Sequence, residues 1–465
     1  MSIERQQDER GDANVRRWRI DGEIGMNIKR SVRYIILILF IETTLGGIGA
    51  GAALSVAADA LPPQERTLTL ADCYELALKR SETIAINRET IREAEAHFTQ
   101  SLGLLLPHLS YNVNAFCQDR DAASATNRVH SAEEKFTLTQ TLFSGFKEFA
   151  GMSGSKQERA QRVYEYRRAR QLLLGDIANA FYLLIEMREE SRALTQTRWA
   201  LLARIEELKA RERLGRSRSS EVASARAQLY GVESEMVSVS KSEALARDLL
   251  EFLTGRSIDG VRDIDGKIAA VGTEASYVSM AARRPDLEAA RLARDVARNR
   301  LKIARSGFFP TVSVEGNYFT GRSTQPTEAK WDAALMVNIP LFNGTETYGA
   351  VKEAASQERA SDLAYQRTVR LSLQDVRDAY NGLTGDILSV KYLTKALAYA
   401  RLNYRLQKKD YEFNLVNNLE VLQAIQTLQD SRVNYIHAFY DTRRLYWQLV
   451  VASGTGGMEM IDDTL

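Results

Sequence analysis

Histidine is the first residue type to test for acid–base or metal chemistry. This chain has four: His97, His108, His130 and His437. None stands in an HExxH or ExxH spacing, so a zinc peptidase or a di-iron bundle lacks its ligands. The two cysteines, Cys73 and Cys117, form no CxxC pair and fall in segments that read as helix and strand. They are expected as isolated thiols, with a disulfide between them left open. The sequence has no glycine-rich phosphate loop and no GxSxG elbow. It therefore offers no catalytic group, metal site or cofactor site. What remains is charge gathered at two places. Glu221 lies six residues after Gly215, and Glu420 lies six residues after Asn414. Arg211, Arg213, Arg216 and Arg218 crowd the first of these. Glycine, and next best asparagine, accepts the left-handed backbone that ends a helix. Both places therefore read as turns between helices, each acid near a helix start where it meets the dipole. The arginines are either a solvated basic turn or a docking surface.

These two turns are copies of one another. Leu214-Gly215 followed by Glu221-Val222 returns as Phe413-Asn414 followed by Glu420-Val421, about 200 residues later. Ala225 and Leu229 return as Ala424 and Leu428 at the same offset, as does Leu-Phe-Ser-Gly at 142–145, which returns as Leu-Phe-Asn-Gly at 341–344. Upstream, Leu-Leu-Pro-His-Leu-Ser around Pro107 returns as Phe-Phe-Pro-Thr-Val-Ser around Pro310, at a slightly longer offset. The chain is thus one unit doubled, 68–255 and 274–454, within a single body spanning 61–465.

The elements that place the turns are long helices. There are seven prolines, with none between Pro107 and Pro285 and none after Pro340. Proline breaks helix interiors, so these gaps permit uninterrupted helix. In the second half Leu373, Val376, Tyr380, Leu383, Ile387, Val390, Thr394 and Leu397 follow steps of three and four, and Tyr404 continues the seam. In the first half Met187, Leu194, Leu201 and Leu208 recur every seven. That is the heptad seam of a coiled coil. Each helix should run from its Leu-Phe-x-Gly turn to Gly215 or Asn414, about 100 Å at 1.5 Å per residue. Return helices are expected at 219–254 and 418–452, and shorter helices at 82–106 and 285–306.

Four segments have period two instead. Leu109, Tyr111, Val113, Ala115 and Cys117 alternate with polar residues. So do Phe136, Leu138 and Leu142, then Val312, Val314 and Tyr318, then Ala333, Leu335, Val337, Ile339 and Leu341. These are strands, paired in two hairpins with polar loops expected at 118–134 and 320–331. Each has the length of a tilted membrane strand, about ten residues. A soluble antiparallel sheet with one buried face is the alternative. Four strands cannot close a barrel, and open edges are not tolerated in lipid. If the strands span a membrane, several chains must share one barrel, and three would give twelve strands.

Lys29, Arg30 and Arg33 precede an apolar run from Tyr34 to Ile41 and a small-residue segment ending Ala58-Asp59-Ala60. That is the shape of a signal peptide, with Met26 the expected start and cleavage expected after Ala60. Residues 1–60 are read as an extension and leader. With 62 basic and 60 acidic residues the net charge is +2. No basic tract with interleaved aromatics suggests nucleic acid.

Over residues 70–454 the doubled hairpin openings, the two Leu-Phe-x-Gly turns and the paired Gly/Asn-x5-Glu-Val motifs resemble the TolC family of outer-membrane efflux proteins. The resemblance implies a mixed α/β, mostly α fold. It implies a homotrimer with a shared twelve-stranded barrel in outer-membrane lipid and a coiled-coil α-barrel reaching into the periplasm. Such a duct serves a tripartite efflux pump or type I secretion. It conducts passively from an inner-membrane RND or ABC transporter through a periplasmic adaptor. A coiled-coil adaptor or scaffold is the competing reading, although it would have one helical hairpin rather than two.

The resemblance also assigns residues. The tip turns Gly215, Arg216, Arg218, Asn414, Leu415 and Val416 would close the pore and touch the adaptor, while Gly145 and Gly344 turn strand into helix. Tyr411 matches a family tyrosine that ties inner to outer coiled coil. Its expected partner is Glu221, with Ser220 adjacent, in a charge-assisted hydrogen bond that holds a closed state. Two departures stand out. Val416 replaces a gate arginine, and Gln423 replaces a second inward carboxylate. One acidic ring per trimer, from Glu420, is then expected, with weaker cation selectivity than two rings would give.

Overall fold

A computed structural model describes residues 67–119, 128–263, 271–322 and 329–455, with the side chains of 116–131 outside the description. The expected leader and cleavage site, parts of both hairpin loops and the Cys117 side chain lie outside the described residues. The first half runs α1 (Leu70–Arg80), α2 (Glu82–Gly103), β1 (His108–Asp119), β2 (Arg128–Ser144), α3 (Lys147–Arg213) and α4 (Ser219–Thr254). The second half repeats that order as α5 (Glu274–Ala281), α6 (Pro285–Ser306), β3 (Thr311–Arg322), β4 (Trp331–Asn338), α7 (Glu346–Glu412) and α8 (Asn418–Ser453).

Helices α3 and α7 are each 67 residues long, and α4 and α8 are each 36. Freedom from proline permits that length. Caps fix several of the ends. At α1 the Thr69 hydroxyl accepts from the Asp72 N–H at 3.2 Å, and the Asp72 carboxylate accepts from the Thr69 N–H at 2.9 Å, a capping box. Pro285 opens α6, where a missing N–H costs nothing. The segment around Cys73 is helical, as expected, and forms α1; the short helix α5 was not expected from the sequence, because 8 residues are too few to display a helical period.

The core gathers around the long helix of the first half. Cys73 and Tyr74 of α1 pack with Ile177, Phe181 and Leu184 of α3 and Leu250 of α4. Burial pushes the Cys73 thiol up to about 12, so it is an inert apolar filler. Met187, Leu194, Leu201 and Leu208 are all buried. In the second half Val376, Leu383 and Leu397 are buried, but Ile387 and Thr394 of the same seam are exposed. No described helix is long and apolar enough to cross a membrane.

The strands form one antiparallel sheet in the order β1-β2-β3-β4. Strand β2 pairs with β3 (Thr137 opposite Asn317), which joins the two hairpins and leaves β1 and β4 as edges. One face exposes Leu109, Val113, Leu138, Tyr318, Leu335 and Val337. Across the other runs a polar ladder. Asn112 Nδ2 donates to Thr137 Oγ1 at 3.0 Å, Thr137 Oγ1 to Asn317 Oδ1 at 2.8 Å, and Asn317 Nδ2 to Asp332 Oδ1 at 2.9 Å.

The expected loops are too long. Strand β2 begins at Arg128 rather than Phe136, and β3 continues to Arg322. Polarity misled the reading, since Glu133, Glu134 and Lys135 look like loop. They are partnered strand residues: Lys135 lies 3.2 Å from Glu133, and the Tyr111 hydroxyl donates to Glu134 at 2.9 Å. Strand β4 ends at Asn338, short of the expected Leu341, because Pro340 has no N–H for the ladder.

Candidate functional site

The residues expected to act lie at two kinds of turn. At the strand-to-helix turns, Gly145 and Gly344 have φ of 67° and 65°. Each is followed by a second left-handed residue, Phe146 at 64° and Thr345 at 73°, a conformation rare outside glycine. The chain thereby passes from strand into a helix without a side-chain cap. A Cβ at Gly145 would lie 2.8 Å from Phe309 Cβ and 3.0 Å from the Ser306 carbonyl oxygen. Only glycine allows the first-half turn to sit against the end of α6.

The helical tips end α3 and α7 in the same way. Gly215 N–H donates to Glu212 O at 2.8 Å and Arg216 N–H to Arg211 O at 2.8 Å. Asn414 N–H donates to Tyr411 O at 3.0 Å and Leu415 N–H to Asp410 O at 2.9 Å. These are paired Schellman closures, with Gly215 at φ 67° and Asn414 at φ 58°. Leu214, Phe413 and Leu415 are exposed at the tips, as are Arg216 and Arg218, while Val416 packs partly against the core.

The restarts differ. Arg218 precedes α4 and caps nothing with its side chain. Asn417 precedes α8 in a capping box, with its Oδ1 accepting from Glu420 N–H at 3.1 Å and Glu420 Oε2 accepting from Asn417 N–H at 3.1 Å. Glu420 is exposed, and its carboxylate serves the helix start. Ser220 is exposed, its carbonyl accepting from the Ser224 hydroxyl at 2.9 Å.

The expected hydrogen bond from Tyr411 to Glu221 is not formed. Glu221 accepts instead from the Ser217 hydroxyl at 2.5 Å. Tyr411, 6 % exposed, lies beneath two guanidinium groups, with Arg204 Cζ 3.5 Å and Arg211 Cζ 4.4 Å from its ring centroid. The ring's electron-rich face offers a buried cation what a carboxylate would otherwise offer. Arg204 is itself 5 % exposed; its Nε donates to Asn418 Oδ1 at 3.0 Å and its Nη1 to Glu207 at 2.9 Å. Arg211 Nη1 donates to Asn414 Oδ1 at 3.3 Å.

Sequence reading missed Arg204 because a mid-helix arginine at a heptad-facing position reads as a solvated charge. It also missed the seam between α4 and α8. There Asn418 Nδ2 donates to Glu221 O at 3.4 Å, Gln228 Nε2 to Gln426 Oε1 at 3.1 Å, and Gln429 Nε2 to Glu235 Oε2 at 2.6 Å. Glu221, Gln228 and Glu235 recur every seven residues, a heptad carried by polar side chains rather than apolar ones.

Farther along α3, Glu186 is buried and bonded to His437 and Arg444 of α8, with Glu190 Oε2 3.5 Å from His437 Nε2. The Glu186 hydrogen bond raises the His437 pKa above its ordinary value, and burial raises that of Glu190. No group of ligands that could hold a metal occurs among the described residues.

Residues 73–256 and 277–455 each match the family described as outer membrane efflux protein. The chain is 24% identical over 390 residues to the outer membrane protein TolC of Vibrio cholerae serotype O1, covering 80% of this chain and 87% of that one. It is 24% identical over 412 residues to the alkaline protease secretion protein AprF of Pseudomonas aeruginosa, covering 80% of this chain and 82% of that one. The crystal structure of the outer membrane protein VceC from Vibrio cholerae superposes with a TM-score of 0.75 at 18% identity, covering 83% of this chain and 96% of that one. The open-state structure of the Neisseria gonorrhoeae MtrE outer membrane channel superposes with a TM-score of 0.71 at 20% identity, covering 83% of this chain and 88% of that one. The doubled helical hairpins, the four-stranded sheet between them and the match in both halves make this chain a member of the outer membrane efflux protein family.

Proposed function

We propose that the protein is the passive outer-membrane exit duct of a tripartite efflux pump or type I secretion system. Three copies share one barrel and one helical tube. An inner-membrane RND or ABC transporter supplies the energy and cargo through a periplasmic adaptor that meets the helical tips. The observation that carries this reading is a mismatch between the two ends of the doubled chain. Elements β2 and α3 of the first half are covered by β3 and α6 of the second. Their counterparts β4 and α7 have no such cover among the described residues. Gly145 is pressed against Phe309, whereas Gly344 meets nothing within 4 Å. Leu388, Tyr392, Tyr399 and Leu406 stand exposed along α7. A second copy placed head to tail supplies β1 to β4 and α2 to α7, and a ring of three closes without an edge. The apolar sheet face then meets lipid and the polar ladder lines the interior. At the tip, Glu420 contributes one acidic ring and a weak preference for cations.

The test is membrane fractionation of the expressed chain, followed by native mass in detergent and N-terminal sequencing. An outer-membrane trimer beginning near Leu61 is expected. A monomer in the inner membrane or the soluble fraction would overturn the duct and favour a coiled-coil scaffold.

A further inference from the structure

The doubled chain carries one joint twice, filled in one half and open in the other. At the end of α8 two side chains of α3 enter a socket. Arg168 Nη1 donates to the Val451 carbonyl at 2.8 Å and its Nε lies 3.8 Å from Asp286, while Gln171 Nε2 donates to the Gly454 carbonyl at 2.9 Å. Carbonyls of a last helical turn lack a helical partner and form the negative end of the dipole. Arg168 and Gln171 satisfy acceptors that α8 leaves over.

The end of α4 is built alike. Gly255 has φ 69° and Gly454 has φ 78°, and the space of a Cβ is taken by Arg80 at the first and by Arg284 at the second. Each arginine pairs with the acid two residues on, Glu82 or Asp286. Here, however, no described side chain plays the part of Arg168. A cleft of 320 Å³ remains, lined by Arg80, Glu82, Leu172, Asp176, Phe252 and Leu253. Phe252 is 78 % exposed. Among the described residues the Phe252 and Gly255 carbonyls accept no side-chain hydrogen bond, and Asp176 pairs with no cation.

The offset that carries Gly255 onto Gly454 carries Arg168 and Gln171 onto Arg367 and Arg370 of α7. Both are exposed, and neither guanidinium meets an acceptor among the described residues. Helix α7 packs on α5, α6 and α8 rather than along α4, so these arginines fill no socket of their own chain. Farther along, Arg444 and Glu186, bonded to each other within the chain, fall on Leu245 and Gly385. Leu245 is 59 % exposed, and a Cβ at Gly385 would meet nothing within 4 Å. One surface offers an apolar knob and the other a bare stretch of helix to receive it.

We infer that Arg367 and Arg370 of one copy plug the open socket at the end of α4 in the next. Glu82, Asp176 and the Phe252 and Gly255 carbonyls receive them, and Leu245 seats over Gly385. Such a joint presupposes the duct reading and adds what a ring of copies does not specify. The plug within the chain is one arginine and one glutamine; the plug between copies is two arginines facing two carboxylates. Opposite charges on two exposed surfaces set which faces meet and in which register.

Thiol linking and native mass in detergent test this. Arg367→Cys with Phe252→Cys, in a chain that also carries Cys117→Ala, places one thiol on each side of the joint; Cys73 is fully buried and does not compete. A short bismaleimide is expected to give covalent trimers on denaturing gels, and each single substitution only unlinked chains. Arg367→Glu with Arg370→Glu should raise the concentration at which the trimer dissociates by about tenfold or more. Adding Glu82→Arg and Asp176→Arg should recover much of that loss, with helical circular dichroism confirming that each variant is folded. Linking within one chain, or no linking in protein that native mass shows to be trimeric, overturns the joint and leaves the duct reading intact. A charge reversal without effect on the trimer, or no recovery in the folded fourfold variant, overturns it equally. If the unaltered protein is a monomer, it is the duct reading that fails, and the joint with it.

Discussion

Helices α3 and α7 have the same length and the same place in their halves, yet very different surroundings. Helix α3 packs against α1, α2, α4, α6 and α8, whereas α7 packs against α5, α6 and α8. Where the halves run in parallel near the sheet-proximal half of the helices, both cores are closed: Ile177 and Leu184 match Val376 and Leu383, and all four are fully buried. Toward the tips they part. Leu201 and Leu208 of α3 are fully buried, while the matching positions of α7 are Ala400 and Gln407. The difference teaches that one half closes its core within the chain, while the other leaves its long helix with fewer neighbours and more exposed apolar surface.

Breaking the buried charge of one half should have the largest effect. Arg284 is 3 % exposed; it donates to Asp286 at 3.0 and 2.7 Å, to Asp375 at 3.0 Å and to the Ala452 carbonyl at 3.1 Å. Burial pushes the Asp286 pKa up, but the Arg284 bond prevails and holds it below the ordinary value. Arg284→Ala leaves Asp375 unpaired and Asp286 with only Arg168, 3.8 Å away, and should cost about 3–5 kcal/mol, read from chemical unfolding. Arg80, in the matching place against Gly255, pairs with an exposed Glu82. Arg80→Ala should leave the unfolding midpoint where it was. Equal losses at the two sites would erase the asymmetry.

The seam toward the tips gives the next contrast. Leu208→Ala removes a fully buried side chain and should cost about 2–5 kcal/mol. Gln407→Ala, at the matching position, should fall within about 0.5 kcal/mol. Thermal unfolding of the helical signal by circular dichroism separates the two.

Smallest is a pH effect, present in one half only. His437 and Glu190 face each other across α8 and α3, in company with Glu186, Asp441 and Arg444, and Glu235 of α4 is also near. The positions that match His437 and Glu186 in the other half are Ser238 and Gly385. The folded pKa of His437 lies above its ordinary 6.5, so its contribution is complete below that value and is lost as pH rises through the folded pKa. Glu190, also raised, acts in the same direction. The unfolding midpoint should therefore decline as pH rises above about 6.5, and His437→Gln should flatten the decline. A midpoint that rises over that range would refute the assignment.

Much of the fold was legible because its signals are repetitive. Proline-free stretches bounded by Leu-Phe-x-Gly and by Gly215 or Asn414 place both long helices, since one backbone requirement at each end fixes the span. The heptad leucines of α3 mark a true core. Less legible was what depends on partners distant in sequence. Glu133 and Glu134 look like loop until Lys135 of the same strand, and Arg322 and Tyr111 of the strands on either side, supply their partners. The position of Tyr411 could be read, but not its partners: Arg204 and Arg211 lie about two turns apart on another helix, and nothing local distinguishes them from surface charge.

The open edges of the sheet have a consequence for the cell that makes the protein. If every β4 must be completed by the β1 of a different copy, a chain damaged at one edge does not merely fail by itself. It enters the ring and spoils the seams of its neighbours. In a three-copy barrel the share of wholly intact ducts falls as the cube of the share of intact chains. Damage confined to β1 or β4 should therefore be dominant over a normal gene copy, while damage that prevents a chain from folding at all should be recessive.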